Sequence, residues 1–283
     1  MNIAARTKIG DILTRALVFF VDSTLFCAVG PTAILIATII LTKNPFNWSL
    51  VLLPFFACVL IYSINRVTDR KEDEINQPDR IRFPYRIRII ILVISLIFYL
   101  LFLLIILQKN LLSFVIGLLP LIIAFLYSVF RIKRIFILKN ILIAIAWCSS
   151  VLIVPAYYEN WTIICWIIFL FFLLLTFLNS IIFDVKDISG DSICGVKTIP
   201  SRFGISATKD FCYILLTAAF IVLFQLISMN QDCILLLPYA CTIAIYTYYA
   251  PDIEHSTWWY YGVFVDGEFF VLLISSLIVI ILQ

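Results

Sequence analysis

The sequence predicts an all-α protein, a multi-pass membrane bundle of nine transmembrane helices forming a single domain over residues 1–283. Three observations predict it. Hydrophobic residues make up 64% of the chain and charged residues only 13%, with a mean hydropathy of +1.11, whereas soluble domains are roughly half apolar and about a quarter charged. Apolar runs close to the ~20 residues that cross a bilayer recur along the whole length. The basic residues between them fall almost entirely on alternate loops. Each run is too long for a barrel strand, and lipid requires the backbone to satisfy its own hydrogen bonds, so the spans read as helices.

The first span runs from about Leu17 to Leu41, behind Arg6, Lys8 and Arg15. It is long and lacks a small-residue cleavage site, so it reads as a span and not as a removed signal peptide. A short K-N-P-F-N turn leads to the second, Trp48 to Ser63. A charged stretch, Ile64 to Pro84, separates it from the third, Ile87 to Leu107, which ends at Q-K-N. The fourth runs from Leu111 to Phe130 and is followed by R-I-K-R; the fifth is Ile137 to Tyr157 and the sixth Trp161 to Phe183. A second polar stretch covers Asp184 to Gly204. The seventh, eighth and ninth are Phe211 to Ser228, Ile234 to Ala250 and Tyr260 to Leu282.

With nine spans, the N-terminus and the loops after spans two, four, six and eight share one side. Those segments, with the span ends beside them (Arg88 and Lys139), carry every Lys and Arg except Lys43 and Lys109, which is 18 of 20. The excess of Lys and Arg in cytoplasmic loops then places the N-terminus and both polar stretches in the cytoplasm, with the chain in the cell membrane. The eight cysteines form no C-x-x-C pair and lie mostly in apolar runs, where cysteine is a small buried hydrophobe. The single histidine, His255, speaks against a histidine-based metal site.

Chemistry concentrates in the two polar stretches. In the first, Asn65, Asp69 and Asp73 recur every four residues. If the preceding helix continues, all three share one face. An amide and two carboxylates converging there are hard oxygen ligands suited to Mg2+. In the second, Asp184, Asp187 and Asp191 have spacings of three and four, again one helical face. The expectation is that the clusters face each other and hold a diphosphate between them through Mg2+. Polar residues at one membrane face, not at the midplane between repeats, argue against a transporter, and a scaffold needs no paired acidic motifs. Nucleic acid is not an expected partner.

The two motifs carry a resemblance. N-R-V-T-D-R-K-E-D with I-N-Q-P-D-R resembles the first signature of the UbiA superfamily of intramembrane prenyltransferases, N-D-x-x-D-x-x-x-D followed by N-x-P-x-R. D-V-K-D-I-S-G-D with G-V-K-T-I-P-S-R-F-G resembles the second, D-x-x-D-x-x-x-D followed by G-x-x-T-x-P and a Gly. Tyr127-Ser128, Lys133, Arg134 and Lys139-Asn140 resemble the family's exit from the fourth span. One departure stands out: Arg66 occupies the place of the usual Asp after the Asn.

The resemblance implies nine spans and an Mg2+-dependent transfer of a prenyl chain from an isoprenoid diphosphate to a lipophilic or aromatic acceptor; a terpene cyclase of the same superfamily is the alternative. It assigns Asn65, Asp69 and Asp73 to one ion, and Asp187 and Asp191 to the other with Asp184 in support. Cations expected to stabilise the diphosphate are Arg80, Lys133, Lys197 and Arg202, with Tyr127 also at the substrate. Arg66, about 100° around the helix from Asn65, is not expected on a metal; it reads as a contact to an anionic acceptor or as a cytoplasmic anchor paired with Glu72 or Asp73. Three further acids are stranded in apolar runs, Asp22, Asp266 and Glu268. Intramembrane carboxylates normally face a cavity or a partner.

Overall fold

A computed structural model describes residues 18–21, 23–68, 84–129, 132, 135–193, 195–250 and 259–282. The expected ligands Asp69 and Asp73, the cations Arg80 and Lys133, and the stranded Asp22 lie outside the described residues. The described chain is helical, with no strand among the described residues. In order the helices are α1 (Leu25–Leu41), α2 (Trp48–Thr68), α3 (Tyr85–Leu107), α4 (Leu111–Val129), α5 (Leu138–Tyr158), α6 (Ile163–Lys186), the short α7 (Ile188–Ile193), α8 (Ile199–Met229), α9 (Leu237–Tyr249) and α10 (Glu268–Leu282). A 3-10 turn, Gln231–Leu236, leads into α9, and a π-helical turn, Trp259–Val265, precedes α10.

Seven helical segments among the described residues are long and apolar enough to cross a membrane: α2, α3, α5, α6, α8, the 3-10 turn with α9, and the π turn with α10. Two shorter apolar helices, Leu25–Leu41 and Leu111–Tyr127, stand beside them. Seven of the nine expected spans therefore meet the length requirement. Along α3 the residues at helical spacing, Ile90, Val93, Ile94, Ile97, Leu101 and Leu104, are exposed and apolar. That is the inverse of a water-soluble surface helix and the face a helix turns to lipid.

The helices pack as a closed ring. Each spanning helix touches the next, and α10 returns to α1, while α1 and α5 also meet across the middle. Two large apolar cores result, beside a small third cluster at Ala28, Cys58 and Val59. One joins residues of α1, α5, α6 and α8 to α10, and the other joins α1 to α5 through α2, α3 and α4. Gly30, Ala33 and Ala37 fall on one face of α1 by their spacing of three and four, and small residues there let neighbouring helices approach closely. Polar side chains tie neighbouring helices: Tyr99, within α3, donates to the Gly117 carbonyl of α4 at 2.8 Å, and Asn110, just before α4, to the Ala156 carbonyl near the end of α5 at 2.9 Å.

The second polar stretch departs from expectation. The sixth helix does not stop at Phe183 but continues to Lys186, so Asp184 lies in its last turn. Asp187 is its C-cap, with φ −95° and ψ 7°, and breaks the helix before α7 carries Asp191. The three acids therefore do not share one continuous helical face. Beyond them, α8 begins at Ile199, well before the expected Phe211. Its start is a reciprocal cap: Thr198 Oγ1 accepts from the Ser201 amide and Ser201 Oγ accepts from the Thr198 amide, with Pro200 in the first turn. Gly204, at φ 81°, kinks the helix in a conformation that other residues rarely adopt. Hydropathy reads this capped, polar turn as a loop because polarity alone does not break a helix.

Candidate functional site

Two cavities meet inside the ring. The polar one, about 230 Å³, is lined by Asp184, Asp187 and Asp191, by Lys139, Lys186 and Arg66, and by Asn179 and Asp266. The apolar one, about 170 Å³, lies among α1, α2, α4 and α5. Pro31, Pro54 and Pro120, one from each of α1, α2 and α4, all line it. A proline inside a helix removes a backbone donor and clashes with the preceding turn, which bends the helix and opens space beside it. Tyr62, Tyr127, Ile143 and Trp147 line both cavities and mark where they join.

The first motif is placed by α2, which continues to Thr68. Asn65 faces the apolar cavity and Arg66 the polar one, so adjacent residues address different compartments. In the second motif, Lys139 and Asn140 reach across from the first turn of α5. Lys139 Nζ lies 2.8 Å from Asp184 Oδ1 and 2.9 Å from Asp191 Oδ2. Asn140 Nδ2 donates to Asp184 Oδ2 at 2.8 Å. Both oxygens of Asp184, which is 2% exposed, are thus engaged. Asp187 differs: its Oδ1 is buried and accepts no hydrogen bond from the described residues, with the Lys186 ammonium 3.9 Å away. Lys186 itself lies over the Phe183 and Tyr261 rings. Burial pushes the Asp191 carboxyl up to about 6; Lys139 pulls it down and the charges of Asp184 and Asp187 push it further up.

Other expected site residues stand elsewhere. Lys197 and Arg202 are exposed and line neither cavity; the Arg202 guanidinium lies over Phe136 and Phe203 at 4.9 and 5.5 Å. Asp266 lines the polar cavity, whereas Glu268 is fully buried beneath it. Glu268 Oε1 accepts from Asn179 at 3.1 Å and from the Tyr239 hydroxyl at 3.4 Å, and Oε2 has no hydrogen-bond partner among the described residues. The sequence marks Lys139-Asn140 only as part of the motif after the fourth span, with no role at the acidic cluster, and it gives no signal for Asn179 and Lys186. A lysine opening an apolar helix, where the helix dipole disfavours a cation, was the available signal for Lys139.

A family model described as the UbiA prenyltransferase family matches residues 28–278. The chain belongs to that family. Among solved structures, an apo UbiA homologue from Aeropyrum pernix K1 is similar with a TM-score of 0.66 at 15% identity, over 92% of this chain and 98% of that one. A UbiA homologue from Archaeoglobus fulgidus bound to GPP and Mg2+ gives 0.60 at 17% identity, over 89% and 96%. A structure concerning digeranylgeranylglyceryl phosphate synthase in membranes gives 0.56 at 17%, over 93% and 97%. At such identities these likenesses establish the UbiA fold. No curated protein matches the chain.

Among the described residues, no group of three or more acidic, cysteine or histidine side chains is arranged to hold a metal ion. Mg2+ fits the donors nonetheless. They are hard carboxylate oxygens, and the buried Asp187 Oδ1 is without a hydrogen bond from the described residues. Mg2+ is commonly held by one or two carboxylates together with substrate phosphates.

Proposed function

We propose that this UbiA family member is an Mg2+-dependent intramembrane prenyltransferase that ionises an isoprenoid diphosphate and transfers the prenyl chain to a lipophilic or aromatic acceptor. The observation that carries this reading is the joining of the two cavities at Tyr62, Tyr127, Ile143 and Trp147. One compartment holds carboxylates and cations, the other is apolar, and an amphiphile with an anionic head and a hydrocarbon tail matches both at once. The UbiA homologues bound to Mg2+ with GPP or with DMAPP support the substrate class.

In this reading Asp187 and Asp191 hold one ion, and Asn65, Asp69 and Asp73 the other. Bound Mg2+ supplies Lewis-acid neutralisation of the leaving diphosphate. The chain does the rest. Lys186 at the polar cavity stabilises negative charge as the allylic C–O bond breaks. Tyr62, Tyr127 and Trp147 present aromatic faces at the junction, where the allylic cation forms. The apolar walls exclude the water that would quench it. Arg66, with a planar guanidinium suited to bidentate contact, addresses an anionic group on the acceptor. Both motifs face the cytoplasm, as the distribution of Lys and Arg indicates.

The test is incubation of purified protein with Mg2+ and a panel of prenyl diphosphates, with and without acceptors, read by mass spectrometry. Prenylated acceptor is expected. Release of diphosphate with a cyclic hydrocarbon or alcohol, and no acceptor, would change the reading to a terpene cyclase. Full turnover in EDTA would end it.

A further inference from the structure

Lys139 breaks local rules. It sits in the first turn of α5, where the positive end of the helix dipole disfavours a cation. The residue that sets the helix start, Ile137, has φ 65°, an outlier for a β-branched side chain. Strained backbone and misplaced charge persist where the surroundings require them, and they cluster at functional sites. Here both serve one contact: the ammonium bridges Asp184 and Asp191, whose positions are 45 and 52 residues further along the chain, with its side chain only 12% exposed.

The charge balance follows. Asp184, Asp187 and Asp191 bring three negative charges when ionised; Lys139 and Lys186, the latter 3.9 Å from Asp187 Oδ1, return two. Both oxygens of Asp184 already have a partner, Lys139 at Oδ1 and Asn140 at Oδ2. A net charge of about −1 with so few open oxygens is a poor site for a bare Mg2+, which dehydrates reluctantly and demands near-octahedral oxygens. A diphosphate brings both the missing charge and the missing ligands.

We propose that Lys139 is the resident counter-cation of the second acidic cluster: its ammonium holds the position between Asp184 and Asp191 that a divalent ion would otherwise take, so this cluster takes up its ion only together with a diphosphate. The proposal rests on the prenyl diphosphate reading and adds an order of events to it. The metal of this cluster enters with the substrate and leaves with the released diphosphate, while Lys139 keeps the carboxylates from repelling one another between turnovers.

Equilibrium dialysis of the purified full chain against Mn2+, with and without inorganic pyrophosphate, tests it. Lys139→Met keeps the aliphatic stem and removes the charge. It is expected to bind one more Mn2+ per chain than wild type without pyrophosphate, or to bind it roughly tenfold more tightly. Adding Asp184→Asn to Lys139→Met should reverse that gain, and Lys139→Arg should behave as wild type. Equal substrate-free uptake by wild type and Lys139→Met overturns the proposal. If Lys139→Met aggregates on size exclusion, Asp187→Asn decides in a near-native protein, since Asp187 Oδ1 accepts no hydrogen bond from the described residues. It should leave substrate-free Mn2+ uptake unchanged and lower uptake with pyrophosphate; loss of substrate-free uptake overturns the proposal. Failure of wild type to take up Mn2+ with either pyrophosphate or a prenyl diphosphate is a different result, and sinks the prenyl diphosphate reading itself.

Discussion

Lowering the pH should weaken metal binding long before it unfolds the protein. The group responsible is Asp191, whose carboxyl is pushed by burial to about 6. A carboxylate must lose its proton to ligate a metal. At pH 7 about nine-tenths of such a group is ionised and at pH 5 about one-tenth, so the apparent Mg2+ affinity falls roughly tenfold over that interval. An exposed Asp, with a pKa of about 3.9, would leave affinity flat until below pH 5. Proton and metal compete for the same oxygen, so saturating Mg2+ should restore turnover at pH 5. The assay is pyrophosphate release at fixed prenyl diphosphate, with Mg2+ titrated from about pH 5 to pH 8 and the half-saturating concentration corrected for Mg2+–diphosphate association in solution. Lys139→Met, which removes the charge that pulls this carboxyl down, should move the step to higher pH. A half-saturating Mg2+ concentration that does not change between pH 7 and 5 would refute the reasoning. Stability responds in the opposite sense. A carboxyl raised in the folded state favours folding fully below its unfolded pKa, and that contribution is lost as the pH rises through about 6.

Other outcomes follow from the same geometry. Arg66→Ala should spare metal-dependent ionisation but lower transfer to an anionic acceptor by about 2–3 kcal/mol, a factor of roughly 30 to 150; unchanged acceptor KM and product distribution would leave Arg66 only a topological charge. A Cβ at Gly30 would overlap Trp147 Cζ3 and lie 2.9 Å from Phe269 Cδ2, so Gly30→Ala should destabilise the protein by about 1–3 kcal/mol, read as a lower midpoint of thermal aggregation in detergent. Glu268→Gln should fold normally because an amide oxygen can still accept from Asn179 and Tyr239, whereas Glu268→Ala leaves the buried Tyr239 hydroxyl without its acceptor at about 1–3 kcal/mol, measured by the same midpoint, while Asn179 keeps the Tyr246 hydroxyl. Asp79→Cys should resist a membrane-impermeant thiol reagent applied to intact cells; labelling from outside would invert the topology.

Much of the helical layout is legible because hydropathy is local. The apolar runs ending at Leu41 and Leu107 end where α1 and α3 end. Asn65 is likewise found on a continued helix, because nothing in I-N-R-V-T breaks α2 before Thr68. What local pattern does not carry is the break at Asp187. A three-and-four spacing describes a helical face only while the helix lasts, and here the helix is interrupted at the second acid itself, Asp187, the C-cap of α6. Lys139 was hidden for another reason. The sequence shows it only as a cytoplasmic charge and as part of the motif after the fourth span, and only the packing of α5 against α6 brings it to Asp184 and Asp191. The partners of Glu268 are similarly distant, Tyr239 by 29 residues and Asn179 by 89. Lys197, in the loop before α8, and Arg202, in its first turn, show the converse: basic residues beside a motif in sequence that line neither cavity.

The closure of α10 onto α1 sets a constraint on biosynthesis. The first of these helices to leave the ribosome finds its last neighbour only when the final one has been made. Until then the face of α1 that meets α10 lacks that partner: Gly30, already covered by Trp147 of α5, waits for Phe269. The polar chamber is equally late, because Asp266 and Phe269, which wall it, arrive with the last segment translated. A nascent chain halted before that segment therefore carries three acids and two lysines into the membrane with no chamber closed around them.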